Sequence, residues 1–374
     1  MTQQKLPPPT WVATTEALQK LIAALEKETS VAVDTESNSL YAYQEQVCLI
    51  QFSTPTEDFL LDPLALPNLE GLAPLFANPN IEKIFHAAEY DLICLERDFG
   101  FEFSNIFDTM IAARILSYDG IGLGKLIEKK FNVHVDKKFQ KANWGQRPLS
   151  QDMLNYARLD THYLIDLRAI LKNELETIQR WALAQEDFEM ATEINGNGKR
   201  LQSAIWERVG GRNKLDPRQA TVLNEICLAR EELAAKMDRP VFKVISNKLL
   251  VRLAEDMPSS IRNLEESGMT THQIRRFGKI FLAAIKRGKD TDLVKPTRFK
   301  RPSDAYLLRL DKLRNWRKER ANGMGVESDI VLPRTLMEEI AKANPQDSNE
   351  LGELMQKSPW RLSQYGNEIL SKIN

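Results

Sequence analysis

Ten residues between Leu223 and Leu264 recur at a constant offset of 87 positions. Leu223, Arg230, Glu232, Ala234, Met237, Val244, Leu249, Ala254, Pro258 and Leu264 return as Leu310, Arg317, Glu319, Ala321, Met324, Val331, Leu336, Ala341, Pro345 and Leu351. A repeat that runs through a whole module without a gap constrains the last third of the chain to two related copies of one small fold. Helical spacing inside each copy predicts a bundle of several short helices, with Met237 and Phe242 in the core of the first; a nucleic-acid stacking role is the minor alternative for Phe242. Pro296 and Pro302 punctuate the link between the copies, and the Asn-Gly-Asn-Gly run at 195–198 breaks the helical stretch ahead of them. The expected domains are therefore 1–200, 210–290 and 302–374.

The first 200 residues follow other rules. Leu18, Leu21, Ile22 and Leu25 make one stripe of a helix over 15–28. Short apolar runs predict strands at 31–33, 47–52, 59–61 and 83–85, with a turn at Thr54, Pro55 and Thr56. Further helices are expected around Asp91, over 108–117 and 124–131, and as one long helix from about 150 to 190. Such an order gives an α/β first domain, a mixed sheet flanked by helices, followed by all-α modules.

Charge is divided unevenly between these parts. The net charge is −10 over residues 1–200, +9 over 201–374 and +11 within 275–320 alone. A basic stretch joined to an acidic half reads as a phosphate-backbone contact surface; its plainer reading is a solvated face with a basic linker. Charged residues at 28% and hydrophobic ones at 43% describe an ordinary soluble globular protein. No apolar run reaches membrane-spanning length, and the opening Met1–Pro9 stretch lacks a secretory signal. Cys48, Cys94 and Cys227 are too few and too scattered for a disulfide framework or a zinc cluster. A cytoplasmic protein with no membrane attachment is expected.

Within the acidic half, five residues have a joint use. Asp34 and Glu36 end the strand run Val-Ala-Val-Asp-Thr-Glu, and their spacing of two projects both from one face. Asp91 follows the run ending at Phe85, in His-Ala-Ala-Glu-Tyr-Asp. Tyr156 and Asp160 stand at i and i+4 on a helix and share a side of it. Hard oxygen ligands so distributed suit magnesium or manganese. Two such ions stabilise the attacking and leaving oxygens of a phosphodiester displacement. A neutral Tyr156 hydroxyl, with an ordinary pKa of about 10, can orient a water but is a poor base. An Asp-x-Glu strand end alone reads as two solvated acids; the ordered set of five reverses that.

These motifs resemble those of the DEDD 3′–5′ exonuclease superfamily in its tyrosine subclass. Val-Asp-Thr-Glu matches its first motif, His-Ala-x-x-x-Asp its second and Tyr-x-x-x-Asp its third. The histidine subclass has His five residues before the last Asp, where this chain has Asn155. The stretch Asn-Trp-Gly-Gln-Arg-Pro-Leu-Ser at 143–150 narrows the resemblance to the ribonuclease D family. The repeated modules, with Arg239-Pro-Val-Phe-Lys-Val-Ile-Ser in the first, resemble HRDC domains.

The resemblance implies a ribonuclease H-like sheet and two divalent metal ions, Mg2+ or Mn2+. Asp34, Glu36 and Asp160 would bind the first ion, and Asp34 would bridge to the second with the help of Asp91. Tyr156 would position the nucleophile. It implies hydrolysis of RNA 3′ ends to nucleoside 5′-monophosphates, tRNA precursors as substrates, and a monomer with no obligate protein partner. A DNA 3′–5′ exonuclease and a non-catalytic RNA-binding module are the competing readings.

Residues outside the five are less determined. His86 either touches substrate or has a structural role, the second being favoured. Asp108 reads as a helix cap. Lys137, Lys138, Lys141 and Arg147 form a basic patch that meets phosphate or merely solvent, and Trp144 among them stacks a base or anchors its loop.

Overall fold

The computed structural model describes residues 6–193, 204–295 and 301–373. The expected breaks at 195–198 and at Pro296 lie outside them. The chain divides into two compact units, one of residues 1–37, 47–194 and 301–374, the other of 38–46 and 195–300. No helix among the described residues is long and apolar enough to cross a membrane, and all three cysteines are buried and outside any disulfide among the described residues.

The first unit is built on a six-stranded mixed sheet. Its strands are β1 (Thr10–Val12), β2 (Ser30–Ser37), β3 (Val47–Ser53), β4 (Asp58–Leu61), β5 (Glu82–Phe85) and β6 (Ile106–Asp108), in the spatial order β1-β4-β3-β2-β5-β6. β2 is central, antiparallel to β3 and parallel to β5. Alternation along β2 sets its two faces. Val31 and Val33 enter one core with Leu18 and Leu21 of α1 (Thr15–Leu25) and Leu92 of α3 (Glu89–Phe99), while the short α2 (Ala73–Ala77) gives Phe76. Ala32 faces the other way, into a core with Ala112 of α4 (Thr109–Ile115), Leu126 of α5 (Leu123–Phe131) and Leu164 and Leu167 of α7 (Leu164–Thr177). A third cluster joins Cys48 and Leu49 of β3 to Met153 and Ala157 of α6 (Gln151–His162).

Two strands were not legible in the pattern, β1 and β6, because three residues carry no periodicity. The single helix expected from about 150 to 190 is three helices, α6, α7 and α8 (Trp181–Thr192). One break falls at Tyr163 (φ −95°, ψ −2°). The second falls at Gln179, whose left-handed φ of 58° turns the chain before α8.

The second repeat belongs to this same unit. Its helices are α14 (Asp304–Met324), α15 (Ser328–Val331), α16 (Arg334–Ala343), α17 (Ser348–Leu354) and α18 (Pro359–Ile373). Ile330 is 2% exposed, in the core that holds Phe107, Leu167 and Phe188 of the sheet-bearing domain. Arg361 is wholly buried, with Nη1 donating to Glu186 Oε2 at 2.9 Å and Nη2 to Asp187 Oδ1 at 2.7 Å. Its remaining donors meet the carbonyls of Ile330 at 2.8 Å and Val331 at 3.2 Å. Arg114 adds ion pairs of 2.6 Å to both Glu327 and Asp329.

The first repeat comprises α9 (Pro217–Lys236), α10 (Val241–Val244), α11 (Asn247–Asp256), α12 (Ile261–Glu266) and α13 (Thr271–Asp290). A capping box of Asp216 with Gln219 starts α9, and one of Thr270 with Gln273 starts α13. In the same unit Tyr43 donates to Glu231 at 3.1 Å, and Lys243 lies 4.1 Å from the ring centre of Tyr41. Phe242 departs from expectation. The one-turn helix α10 buries Val244 and turns Phe242 outward, leaving it 51% exposed. The period also shifts: Phe277, Gly278 and Phe281 of α13 correspond to Tyr365, Gly366 and Ile369 of α18, one residue beyond the 87-residue offset.

Candidate active site

Continuing the alternation of β2 puts Asp34 and Glu36 on the Ala32 face, beneath α6, and sends Thr35 to the Val33 face. The register confirms the facing residues: Asp34 is paired with Gln51 and Glu36 with Leu49 on β3. Helix α6 is started by Ser150, whose hydroxyl accepts from Met153 N at 3.3 Å. It is tied to the sheet by Thr161 Oγ1, 2.7 Å from Ser53 Oγ. That bond sets Tyr156 and Asp160 over the acid-bearing end of β2.

Asp91 comes to the group from α3. It is buried, and the Thr35 hydroxyl donates a short hydrogen bond to its Oδ1. Its helix is launched from an unusual turn in which Ala87, a non-glycine residue, has φ 62°. Asp108 holds that turn, accepting from Ala87 N at 3.0 Å and Ala88 N at 2.8 Å. The same carboxylate caps α4 through Met110 N at 2.8 Å and Ile111 N at 3.2 Å. Sequence reading found the cap and missed the turn. His86 Nδ1 is 2.9 Å from Thr109 Oγ1, which itself donates to Phe85 O at 3.0 Å. Thr35 was missed too, although the x of Asp-x-Glu must face the opposite side of a strand.

The electrostatics show that the acids share one environment. Burial, followed by the charges of Asp91, Asp160 and Glu36, raises Asp34 well above the carboxylate range. Burial and then Asp160 and Asp91 raise Glu36 to about 9. Asp91 is raised to about 7, chiefly by burial and against the Thr35 hydrogen bond. Asp160 is also raised to about 7, by burial and then by Asp91. Burial and the charges of Asp160, Glu36 and Asp34 raise the Tyr156 hydroxyl. Like charges in a desolvated group resist ionisation together, and a cation among them removes that resistance.

The donor set fits a hard divalent cation, being all carboxylate oxygen. Among the described residues no three acidic, histidine or cysteine side chains are already drawn to ligand distance. Four mutually repelling carboxylates have no cause to converge without positive charge. A further observation favours a loaded state: Gln51, opposite Asp34, is fully buried, and its amide has no partner among the described residues.

The basic loop before α6 divides into two parts. Lys137, Lys138 and Lys141 are exposed. Arg147 and Trp144 are engaged within the protein. Arg147 donates to both oxygens of Asp62 at 2.6 Å and to the carbonyls of Cys48 at 2.7 Å and Trp144 and Gln146 at 2.8 Å. A guanidinium so engaged fastens the loop to β3. Trp144 is 1% exposed, which leaves no ring face for a base. It lies 6.1 Å from the Tyr156 ring, and Phe139 meets the same ring edge-on at 5.9 Å. Both aromatics buttress Tyr156.

Comparison with known proteins gives the family. Residues 9–176 match a family model for a 3′–5′ exonuclease, and residues 219–285 and 307–373 each match the HRDC domain. The class is thus a 3′–5′ exonuclease fold followed by two HRDC domains. Ribonuclease D of Desulfotalea psychrophila is 31% identical over 289 residues, covering 75% of this chain and 77% of that one. The chain belongs to the ribonuclease D family. Protein RRP6-like 1 of Arabidopsis thaliana is 31% identical over 330 residues, 84% of this chain and 50% of that protein. The chain spans half or less of the plant, nematode and yeast relatives it matches. The crystal structure of Escherichia coli RNase D has the same fold, with TM-score 0.69 at 24% identity over 96% of this chain and 99% of that one. The exonuclease family to which these proteins belong is divalent-metal dependent.

Proposed function

We propose that this protein is a two-metal 3′–5′ exoribonuclease that shortens RNA one nucleotide at a time, releasing nucleoside 5′-monophosphates. The observation that carries the reading is the gathering of Asp34, Glu36, Asp91 and Asp160, four carboxylates from three separate segments, each raised by burial and three of them also by acidic neighbours within the group. Nothing in a fold is gained from that arrangement without a cation. Asp34, Glu36 and Asp160 would hold one ion, and Asp34 with Asp91 a second. Bound there, Mg2+ or Mn2+ supplies charge stabilisation and lowers the pKa of water.

The chain's own part is positioning. Tyr156, kept protonated by burial and by its acidic neighbours, donates or accepts a hydrogen bond that fixes the attacking water. Its ring is held for this by Phe139 and Trp144. Lys137, Lys138 and Lys141 offer charge to the RNA backbone beside the catalytic helix, and the basic α13 offers more in the first HRDC module. A single-stranded 3′ end suits a recessed acidic site. Escherichia coli RNase D is described as an exoribonuclease involved in structured RNA processing, which supports tailed structured RNAs, tRNA precursors among them, as substrates here. A cytoplasmic monomer is the working state.

The test is a time course on a 5′-labelled, 3′-tailed RNA with Mg2+ or Mn2+, beside EDTA, Asp34→Asn and a DNA of the same sequence. A ladder of 3′-shortened products, lost on chelation and in the variant, is expected on RNA. Preference for DNA would transfer the protein to the proofreading type of exonuclease. Binding of RNA without any cleavage by folded, metal-loaded protein would reduce it to a binding module.

A further inference from the structure

Gln51 interrupts an apolar strand. It stands among Val47, Cys48, Leu49, Ile50 and Phe52, all wholly or nearly buried, and is itself 0% exposed. Neither its Nε2 nor its Oε1 has a hydrogen-bond partner among the described residues. Buried amides are almost always paired, so an unpaired one calls for a cause. Across the ladder Gln51 is opposed to Asp34 on one side and Leu60 on the other. Directly opposed residues of an antiparallel pair present their side chains on one face, with Cβ atoms roughly 4.5–5.5 Å apart. Gln51 therefore lies level with Asp34, on the face that α6 covers. One pleat deeper on that face, Ser53 is already bonded to Thr161 at 2.7 Å. The pleat at Gln51 is the one left without a bond, and it is the pleat of the carboxylate site.

We propose that Gln51 is a positioning residue of the metal site, its amide N–H donating to the Asp34 carboxylate once a divalent cation is bound. The inference rests on the two-metal reading above. An ionised carboxylate has about four lone-pair positions, enough to serve cations and still accept one N–H. A hydrogen bond to an ionised acceptor is shorter and stronger than a neutral one, so the loaded site rewards a donor that the empty site leaves idle. The bond would fix the rotamer of the one acid shared between the two ions, as outer-shell partners do for ligands elsewhere. Gln51 touches neither substrate nor cation in this role.

Mn2+ titration followed by calorimetry and by electron paramagnetic resonance tests the assignment, with thermal melting of the metal-free protein alongside. Gln51→Met keeps the volume and removes the amide. Its metal-free form should melt no lower than wild type, because an unpaired buried amide has gone, while its Mn2+ affinity should fall about 10- to 100-fold. Asp34→Asn separates this inference from its foundation. If Asp34→Asn loses Mn2+ and Gln51→Met binds it within twofold of wild type with an unchanged spectrum, Gln51 is a core residue and the inference is wrong. If Asp34→Asn binds Mn2+ like wild type, the metal site itself is misassigned. Should Gln51→Met fold poorly, Gln51→Asn retains an amide one methylene too short to reach; the same loss of at least tenfold is then required.

Discussion

A carboxylate site built for cations should weaken the fold when cations are withheld, and Asp160→Asn measures by how much. Asp160 lies on α6 with its carboxyl raised from 3.8 to about 7 by burial and then by Asp91. A raised acid binds its proton more tightly in the folded than in the unfolded state. Stability therefore falls as pH rises from about 4 to about 7, and the full deficit persists above that. Ionised Asp160 therefore destabilises the metal-free protein at pH 8, on the order of a few kcal/mol. Asparagine has the same shape and no charge. Metal-free Asp160→Asn should melt above wild type at pH 8, by about 5 °C or more at some 2–4 °C per kcal/mol, and the gap should close toward pH 4. Saturating Mn2+ should stabilise wild type by about 2.7 kcal/mol at a hundred times Kd and the variant by less, shrinking or inverting the gap. Differential scanning calorimetry in EDTA and in Mn2+, at pH 4.5, 6 and 8, reads all of this. A metal-free variant that folds and melts below wild type at pH 8 would show that the acids are not in conflict, and the argument from their environment would fall.

Other predictions follow from single side chains. Arg361→Ala leaves Glu186 and Asp187 buried without their cation, and should lower the stability of the first unit by about 3–5 kcal/mol, seen as an earlier calorimetric transition. Tyr156→Phe keeps the ring between Phe139 and Trp144 and loses only the hydroxyl; kcat should drop about 100-fold with RNA affinity unchanged, and an equal rise in KM would contradict the positioning role. Replacing Lys137, Lys138 and Lys141 with Ala should weaken single-stranded RNA binding and flatten the salt slope by about two, whereas Arg147→Ala should act through melting temperature and loop proteolysis.

The site was more legible in the sequence than the fold that carries it. Strand alternation placed Asp34 and Glu36 together, helical spacing placed Tyr156 with Asp160, and both rules are local. What failed to show depended on distant partners or special backbone. The left-handed Gln179 that divides α7 from α8 is not a residue type that announces a turn. Arg147 reads as a free cation until Asp62, 85 positions earlier, is seen to hold it. Trp144 likewise stands between base stacking and anchoring its loop until its burial is seen. Gln51 did leave a trace, as the one polar residue within Val-Cys-Leu-Ile-Gln-Phe, and a strand reading that asked why it was polar would have found it.

The placement of Ile330 and Arg361 bears on how alike the two repeats can remain. At the 87-residue offset Ile330 corresponds to Lys243, and in the shifted register of the last helix Arg361 corresponds to Gln273. Lys243 sits over the Tyr41 ring, and Gln273 closes a capping box; in the other copy those positions are a core isoleucine and a buried counter-ion for the catalytic fold. The duplication has thus ended in two parts that cannot be exchanged. A second copy of the first module grafted over residues 302–374 would drive an ammonium into the apolar core around Phe107 and leave two acids of α8 without their guanidinium. Nor can the catalytic fold be trimmed at the apparent boundary near residue 200, since part of its interior is supplied from beyond residue 320.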